Sequence, residues 1–177
     1  VVRKLVLGVK GKLTANNVTI VNGEASIVDK NHVLCGDETY ECDNLLLCTG
    51  SETFIPLIPG IDTVPYWTHR DALDNKELPK SLVVIGGGVI GMEFASFFNS
   101  LGVEVTVIEM LDEILGGMDK ELSAMLRVEY AKRGIKFMLN TKVVSLDGSA
   151  GENGETQVRV NYENAEGTGF SVAEKLL

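Results

Sequence analysis

Residues 81–94 read SLVVIGGGVIGMEF, and this stretch carries the strongest local signals in the chain. An apolar run typical of a buried strand meets four glycines in six positions, and a helical pattern follows. The stretch therefore predicts a strand over residues 82–85, a tight turn, and a helix that runs to about Ser100. Glycines in this setting form either a structural turn alone or a loop that holds a phosphate group.

Three of these glycines have the spacing G-x-G-x-x-G, which is a weak signal without its context. Gly86 would let the strand turn sharply, Gly88 would let backbone approach a pyrophosphate, and Gly91 would let the helix pack close to the strand. The N–H groups and the dipole at the helix start attract an anion without any lysine or arginine. We expect Gly86, Gly88, Val89, Ile90 and Gly91 to contact a dinucleotide.

A second strand, predicted over residues 103–108, ends in Glu109, 21 positions after Gly88. This distance is close to the spacing of about 20 residues expected for a carboxylate that binds a ribose 2′-hydroxyl. The same carboxylate repels a 2′-phosphate, and the three residues that follow it include no arginine to hold one. The pattern therefore favours NAD over NADP, although Glu109 taken alone could be a solvated strand end.

The remaining patterns predict an α/β protein with two parts. Apolar residues at three- and four-residue steps predict a helix over residues 1–13, and short β-rich runs over residues 18–50 predict an antiparallel meander that ends in a buried strand. Three of the four prolines lie within residues 51–65, which predicts an irregular connection and a domain boundary. From residue 66 onward strands alternate with helices, as in a parallel sheet with right-handed crossovers.

A second helix is predicted at about residues 119–133, with Gly134 at its C-terminal cap. Its predicted apolar side consists of Leu122, Met125, Leu126 and Val128. After Asn140, three β-rich runs separated by glycine-rich turns predict a second antiparallel set: KVVSL (142–146), QVRVNY (157–162) and FSVAEKLL (170–177). The predicted fold class is a Rossmann-like domain with a parallel sheet and an antiparallel β-meander.

Composition and charge exclude several classes of function. The net charge of −9 over 177 residues repels nucleic acids and anionic membranes. No apolar run approaches the roughly 18 residues that span a bilayer, and the N-terminus lacks a secretory signal pattern, so we expect a cytoplasmic protein. Cys35, Cys42 and Cys48 have no metal-site spacing, and we expect reduced thiols. The chain starts with valine and ends on two leucines, which indicates an internal piece of a longer protein.

Three stretches of the chain resemble the pyridine nucleotide-disulfide oxidoreductases, most closely the dihydrolipoamide dehydrogenase branch of that family. They are LLLCTGSETFIPLIPG (45–60), LPKSLVVIGGGVIGMEFASFFNSLGVEVTVIEM (78–110) and EILGGMDKELSAMLRVEYAKRGIKFMLNTKV (113–143). The resemblance implies an FAD domain, an inserted NAD domain and a dimerisation domain. Residues 1–65 would be a remnant of the FAD-binding domain and residues 66–177 the NAD-binding domain.

The resemblance also implies roles for three further residues. Thr49 and Gly50 match the segment that closes the FAD domain against the flavin nucleotide, although they could also form a plain strand end. Glu93 matches a glutamate that lies near the nicotinamide. Its expected place in the first turn of the helix would stabilise it through the dipole with or without a ligand.

The family's chemical groups are not visible in the chain. The redox-active C-x-x-x-x-C pair and the C-terminal histidine-glutamate pair are missing, and neither histidine has a matching context. His69 is expected to be a surface or capping residue. We therefore expect no catalytic residue and no metal ligand in these 177 residues.

The implied function is the NAD(H)-binding portion of a flavin-dependent dihydrolipoamide dehydrogenase, which positions nicotinamide for hydride transfer from reduced FAD. Alone, the chain should bind NAD(H) and catalyse nothing. Its partners in the intact enzyme would be the remaining domains of the same polypeptide, the second subunit of a homodimer, and a 2-oxo acid dehydrogenase complex. The alternatives are another flavin disulfide reductase, an NADH oxidase, and a free-standing NAD-binding or sensing module.

Overall fold

The computed structural model describes residues 1–150 and 156–177 and divides the chain into two compact units, Val1–Ser51 and Glu52–Leu177. The division lies before the boundary expected at residue 65, because the connection packs with the second unit. Val64 is buried in a core of that unit, and the Pro59 carbonyl accepts a hydrogen bond of 2.8 Å from the Leu146 N–H. The assignment of residues 1–65 and 66–177 to FAD and NAD domains stays a prediction.

The first unit consists of one helix and one small sheet. The predicted N-terminal helix is confirmed as α1 (Val2–Ala15), and none of its residues is buried. The antiparallel sheet has the order β1 (Ala25–Ile27), β2 (His32–Cys35) and β3 (Glu38–Glu41).

The prediction that this meander ends in a buried strand is wrong. Leu46 and Leu47 are 84% and 63% exposed and lie in irregular structure, and residues 18–21 also form no strand. Both runs have the residue types of strands, but a strand also needs a neighbour for its backbone hydrogen bonds. Within the described residues no strand pairs with either run.

The second unit contains a four-stranded parallel sheet and a three-stranded antiparallel sheet, which confirms the predicted α/β class. The parallel sheet has the order β10-β4-β5-β6, and the antiparallel sheet the order β7-β8-β9. The strands are β4 (Ser81–Ile85), β5 (Glu104–Ile108), β6 (Lys136–Met138), β7 (Lys142–Ala150), β8 (Thr156–Asn164), β9 (Gly167–Ala173) and β10 (Lys175–Leu176). The helices are α2 (His69–Asp74), α3 (Val89–Ser100) and α4 (Lys120–Lys132), with a short 3-10 turn at Ile61–Thr63. None of the helices in the described residues is both long enough and apolar enough to cross a membrane.

Strand β4 is apolar from Leu82 to Ile85, and both of its faces are buried over its three central residues. Leu82 and Val84 belong to a core that also contains Phe98 of α3, whereas Val83 belongs to a second core with Val160 of β8. Alternate side chains of a strand point to opposite faces of the sheet, so one strand serves both cores. This double burial fixes the position of the loop that follows β4.

Helix α4 has the predicted bounds but not the predicted buried side. The Asp119 side chain caps it by accepting from two backbone N–H groups, and Gly134 follows it with a φ of +98°. Of the four residues expected on its apolar side only Leu126 packs against the core; the exposed ones are Leu122, Met125 and Val128. The position that is buried is Ser123. The inward side of the helix is mixed: Leu126 and Tyr130 pack against the core, and Arg127 pairs with Glu113 of the preceding loop.

The run FSVAEKLL (170–177) was expected to be one strand of the antiparallel set, but it divides between two sheets. Its first half completes β9, whereas β10 pairs in parallel with β4, with Lys175 opposite Leu82. The other two runs form β7 and β8 as predicted. The glycine-rich turn predicted between them falls largely on residues 151–155, which lie outside the described residues.

Candidate functional site at the glycine loop

Gly86 ends strand β4 with a sharp turn. Its φ is +102°, a left-handed conformation that residues with a side chain rarely adopt. Its N–H donates to the Ile108 carbonyl of the neighbouring strand at 2.9 Å. The structural task predicted for this glycine is confirmed.

Gly91 allows helix α3 to approach the loop closely. A Cβ atom added at this position would lie 2.5 Å from the Gly86 carbonyl oxygen and 3.2 Å from Cγ1 of Val84. The first of these contacts is with backbone, so a side chain could be accommodated only by moving the loop or the helix. The close packing predicted for Gly91 is therefore confirmed.

Gly88 differs from the other two because the protein itself does not require a glycine there. Its φ is −70°, which any residue adopts, and an added Cβ would meet no protein atom within 4 Å. The residue is exposed and forms the N-cap of the twelve-residue helix α3. Glycine at this position therefore keeps space open beside a helix N-terminus, where an anion is favoured.

The backbone at the start of α3 has unused donors. Within the described part of the chain, the N–H groups of Gly88, Val89, Ile90 and Gly91 donate to no protein acceptor. The first hydrogen bond of the helix runs from the Met92 N–H to the Gly88 carbonyl at 2.9 Å. Val89 and Ile90 are more than half exposed, so an incoming ligand can reach these donors.

Glu109 follows strand β5 and is half-buried, so it is not the solvated strand end that the sequence left open. One carboxylate oxygen accepts from the Gly87 N–H at 2.5 Å and the other from the Leu111 N–H at 2.7 Å. A carboxylate has about four lone-pair sites, so each oxygen can accept another hydrogen bond. Glu109 therefore holds the glycine loop, and its free lone pairs can still accept a hydrogen bond from a hydroxyl group.

The sequence pattern assigned no role to Gly87. In the structure, the loop after β5 forms hydrogen bonds to both its N–H and its carbonyl. Gly87 is buried, and its carbonyl accepts from the Leu115 N–H at 2.8 Å. An added Cβ would lie 3.0 Å from Cγ2 of Ile114 and 3.1 Å from the Glu109 carboxylate. Its place as the middle of three consecutive glycines was the available signal.

Glu93 lies one turn further into α3 than expected. It is the fifth residue of the helix and is exposed, so the prediction that it occupies the first turn is wrong. The strand and the turn extend to Gly88, so the helix begins only at Val89. Glu93 borders a cavity of about 350 Å³ between α2 and α3 that Phe94 and Phe97 also line. Its proximity to a nicotinamide stays a prediction.

The other predicted residues lie apart from the glycine loop or in the first unit. Thr49 and Gly50 are exposed residues of that unit, and Gly50 has a φ of +76°. His69 is the first residue of α2, and its Nδ1 lies 3.0 Å from the Thr53 hydroxyl. Among residues 1–150 and 156–177, no group of three or more histidine, cysteine, aspartate and glutamate side chains is placed to hold a metal ion.

Three comparisons with known proteins give one consistent result. The family model described as pyridine nucleotide-disulphide oxidoreductase matches residues 1–174. Among curated proteins, the chain is 40% identical over 155 residues to the dihydrolipoyl dehydrogenase of Acholeplasma laidlawii, covering 83% of this chain and 45% of that protein. It is 38% identical over 168 residues to the dihydrolipoyl dehydrogenase of Geobacillus stearothermophilus, covering 92% and 34%.

Among solved structures, the chain is similar to the HOCl-induced flavoprotein disulfide reductase RclA from Escherichia coli. The TM-score is 0.77 at 28% identity, and the match covers 99% of this chain and 40% of that one. The chain thus spans less than half the length of the relatives that it matches.

Proposed function

The chain belongs to the pyridine nucleotide-disulphide oxidoreductase family, and on that premise we propose that its glycine loop binds NAD(H). The whole protein would be a flavin-dependent dihydrolipoyl dehydrogenase, in which this part holds the nicotinamide in line with FAD. The 40% identity to a dihydrolipoyl dehydrogenase supports this member of the family. Alone, these residues would bind the dinucleotide and catalyse nothing.

The observation that carries the proposal is the open space at Gly88. An added Cβ would meet no protein atom there, and the four N–H groups from Gly88 to Gly91 have no protein acceptor among the described residues. A pyrophosphate is an anion with several acceptor oxygens, and a helix N-terminus binds such a group through N–H donors and the helix dipole. An acidic chain can hold a dinucleotide in this way without a cationic side chain.

Glu109 would provide the contact that selects the cofactor. It is already fixed by two backbone N–H groups, so its remaining lone pairs have a defined position. A ribose 2′-hydroxyl can donate to this carboxylate, whereas a 2′-phosphate would meet a like charge. We therefore expect NAD(H) to be preferred over NADP(H).

Bound NAD⁺ would supply the hydride-accepting chemistry, and the residues of this chain would orient it. The N–H groups of α3 would hold the pyrophosphate, Glu109 the ribose, and Glu93 the region of the nicotinamide. Thr49 and Gly50 would contribute to flavin binding only in the intact protein. Its partners there would be the remaining domains, a second subunit and a 2-oxo acid dehydrogenase complex.

A second candidate is a flavin disulfide reductase that acts on another substrate. The structural similarity to the E. coli flavoprotein disulfide reductase RclA supports it. The lower identity of that match, 28% against 40%, favours dihydrolipoyl dehydrogenase.

The test is a calorimetric titration of the 177-residue chain with NADH. The chain should bind saturably, and Gly88→Val should abolish binding because the valine side chain fills the open space. Gly148→Val in β7 is the matched control, since its added Cβ also meets nothing within 4 Å. Binding that Gly88→Val leaves unchanged would refute the pyrophosphate site. In a separate assay, the chain should not oxidise NADH with lipoamide.

A further inference from the structure

The loop between β5 and α4, residues 109–119, contacts the glycine loop at two points. Its first residue, Glu109, accepts from the Gly87 N–H, and Leu115 donates to the Gly87 carbonyl. Both backbone polar groups of Gly87, its N–H and its carbonyl, are thus hydrogen-bonded to this one loop. The conformation of the glycine loop therefore depends on how the loop 109–119 is itself anchored.

Backbone hydrogen bonds hold the first residues of this loop, from the Glu109 N–H to the Met138 carbonyl and from the Asn140 N–H to the Leu111 carbonyl, both at 2.9 Å. The middle of the loop is anchored by an ion pair between Glu113 and Arg127 of α4. Arg127 Nε lies 2.8 Å from one carboxylate oxygen of Glu113, and a terminal guanidinium nitrogen lies 2.9 Å from the other. The side chains of Glu113 and Arg127 are only 11% and 29% exposed. A two-pronged guanidinium-carboxylate pair that is shielded from water fixes both position and orientation.

Only two residues, Ile114 and Leu115, connect the ion pair to the glycine loop. Glu113 also accepts from the Ile114 N–H at 2.9 Å, and the Ile114 side chain is buried in the core. The next residue, Leu115, has a φ of +56°, a conformation that leucine adopts only where its surroundings impose it. In this conformation the Leu115 N–H meets the Gly87 carbonyl at 2.8 Å.

A neighbouring ion pair serves as an internal comparison. Asp112 of the same loop pairs with Lys120 of the same helix at 2.6 Å, but these side chains are 64% and 74% exposed. An exposed pair contributes little because water and salt screen it. Both pairs thus join an acid of the same loop to a cation of the same helix, and they differ in how far their side chains are buried.

We propose that Arg127, acting through Glu113, is a positioning residue for the nucleotide site. The pair holds residues 113–115 in place, so that the Leu115 N–H keeps the Gly87 carbonyl in the conformation that leaves the N–H groups at the start of α3 free for pyrophosphate. Arg127 would act through its pairing with Glu113 and not through a contact with the nucleotide. This inference rests on the proposed function, since it concerns the same site.

The binding test uses the full 177-residue chain with two probes, NADH and ADP-ribose, which lacks the nicotinamide. Arg127→Met and Glu113→Gln should each weaken both probes about tenfold, because the binding-competent loop becomes a minor population. Lys120→Met should leave both affinities unchanged. The exchanged pair, Glu113→Arg with Arg127→Glu, should recover only part of the lost affinity, because it restores the ion pair but an arginine at position 113 cannot accept from the Ile114 N–H.

Hydrogen exchange supplies a readout that needs no ligand. The amides of Gly87 and Leu115 should exchange faster in Arg127→Met and in Glu113→Gln, and at the original rate in Lys120→Met. Glutamine has nearly the same size as glutamate. If Arg127→Met fails to fold, the Glu113→Gln variant therefore still tests the proposal. Unchanged affinity in Glu113→Gln would overturn the proposal whatever the exchange rates, as would an equal loss in Lys120→Met.

The two readouts separate this inference from the proposed function. A chain that binds neither NADH nor ADP-ribose refutes the nucleotide site, and the exchange rates of Gly87 and Leu115 then still decide whether Arg127 holds the loop. Binding that is intact in the unsubstituted chain and unaffected by the loss of the buried pair refutes the positioning role alone.

Discussion

The carboxylate of Glu109 and the backbone N–H of Gly87 are joined by a hydrogen bond of 2.5 Å. Their strands, β5 and β4, lie side by side in the parallel sheet, so the segments that follow both strands meet at one edge. The acid proposed to bind the ribose and the loop proposed to bind the pyrophosphate are therefore one structural unit. A change in either should be felt by the other.

Replacement of Glu109 by glutamine should weaken NADH binding about tenfold, because a charge-assisted hydrogen bond is lost and an amide oxygen replaces only one of two acceptors. The preference for NADH over NADPH should narrow, since the like-charge repulsion of a 2′-phosphate disappears. Parallel calorimetric titrations with the two cofactors measure both effects. An unchanged ratio of the two affinities would contradict the proposed ribose contact.

Replacement of Gly91 by alanine should destabilise the second unit by about 1–3 kcal/mol, because the added methyl group overlaps the Gly86 carbonyl. Urea unfolding followed by circular dichroism measures the loss. Gly148→Ala is the control, since its methyl group meets nothing within 4 Å. Equal stability of the two variants would show that the close approach of α3 to the loop is not a constraint.

Replacement of Glu113 by glutamine should give a stability loss that depends on pH. The hydrogen-bonded Arg127 guanidinium lowers the pKa of Glu113 below its ordinary value of 4.5. A carboxyl whose pKa is lower in the folded than in the unfolded state stabilises the fold fully above the unfolded value, and the effect disappears as the pH falls through the folded value.

Wild type should therefore exceed Glu113→Gln by about 2 kcal/mol at neutral pH, and the difference should vanish in acid below the lowered pKa. Unfolding by urea at a series of pH values measures it. The control, Asp112→Asn, should change stability little because that pair is exposed. A difference for Glu113→Gln that persists unchanged into acid would contradict the ion pair as its cause.

Replacement of Phe98 by alanine should cost about 3–5 kcal/mol, because this side chain is 1% exposed and its ring lies 5.8 Å from that of Trp67. Phe97→Ala is matched in chemistry and helix, but Phe97 is 55% exposed and should cost much less. Thermal unfolding of the two variants gives the comparison. Similar losses in both would mean that the core of this unit does not centre on α3.

The strand, turn and helix over β4 and α3 could be predicted because their signals are local. The run of apolar residues, the glycines and the spacing to Glu109 all act through neighbours in sequence or through the adjacent strand. Gly86 and Gly91 have the predicted structural tasks for this reason. The cofactor contacts of these residues stay predictions, since they depend on a molecule that the sequence pattern only implies.

The features that could not be predicted from the sequence depend on contacts between residues far apart in the chain. Arg127 of α4 is half-buried because Glu113 of the preceding loop pairs with it, and an apolar periodicity does not register such a partner. Ser123 is also buried, and no contact among the described residues explains a serine at that position. Residues 45–48 have strand-forming side chains, but strand formation needs a second backbone. Gly87 was overlooked because its importance arises from Leu115 and Glu109 on another segment.

The pairing of β4 with β10 has a consequence for synthesis. Lys175 lies opposite Leu82, and the Leu177 N–H donates to the Val83 carbonyl, so one side of β4 is completed by residues made almost a hundred positions later. A chain emerging from a ribosome at about 5–20 residues per second leaves that edge open for several seconds. Nascent chains arrested before residue 175 should thus display an unpaired edge beside the glycine loop, and this edge is where a chaperone would be needed.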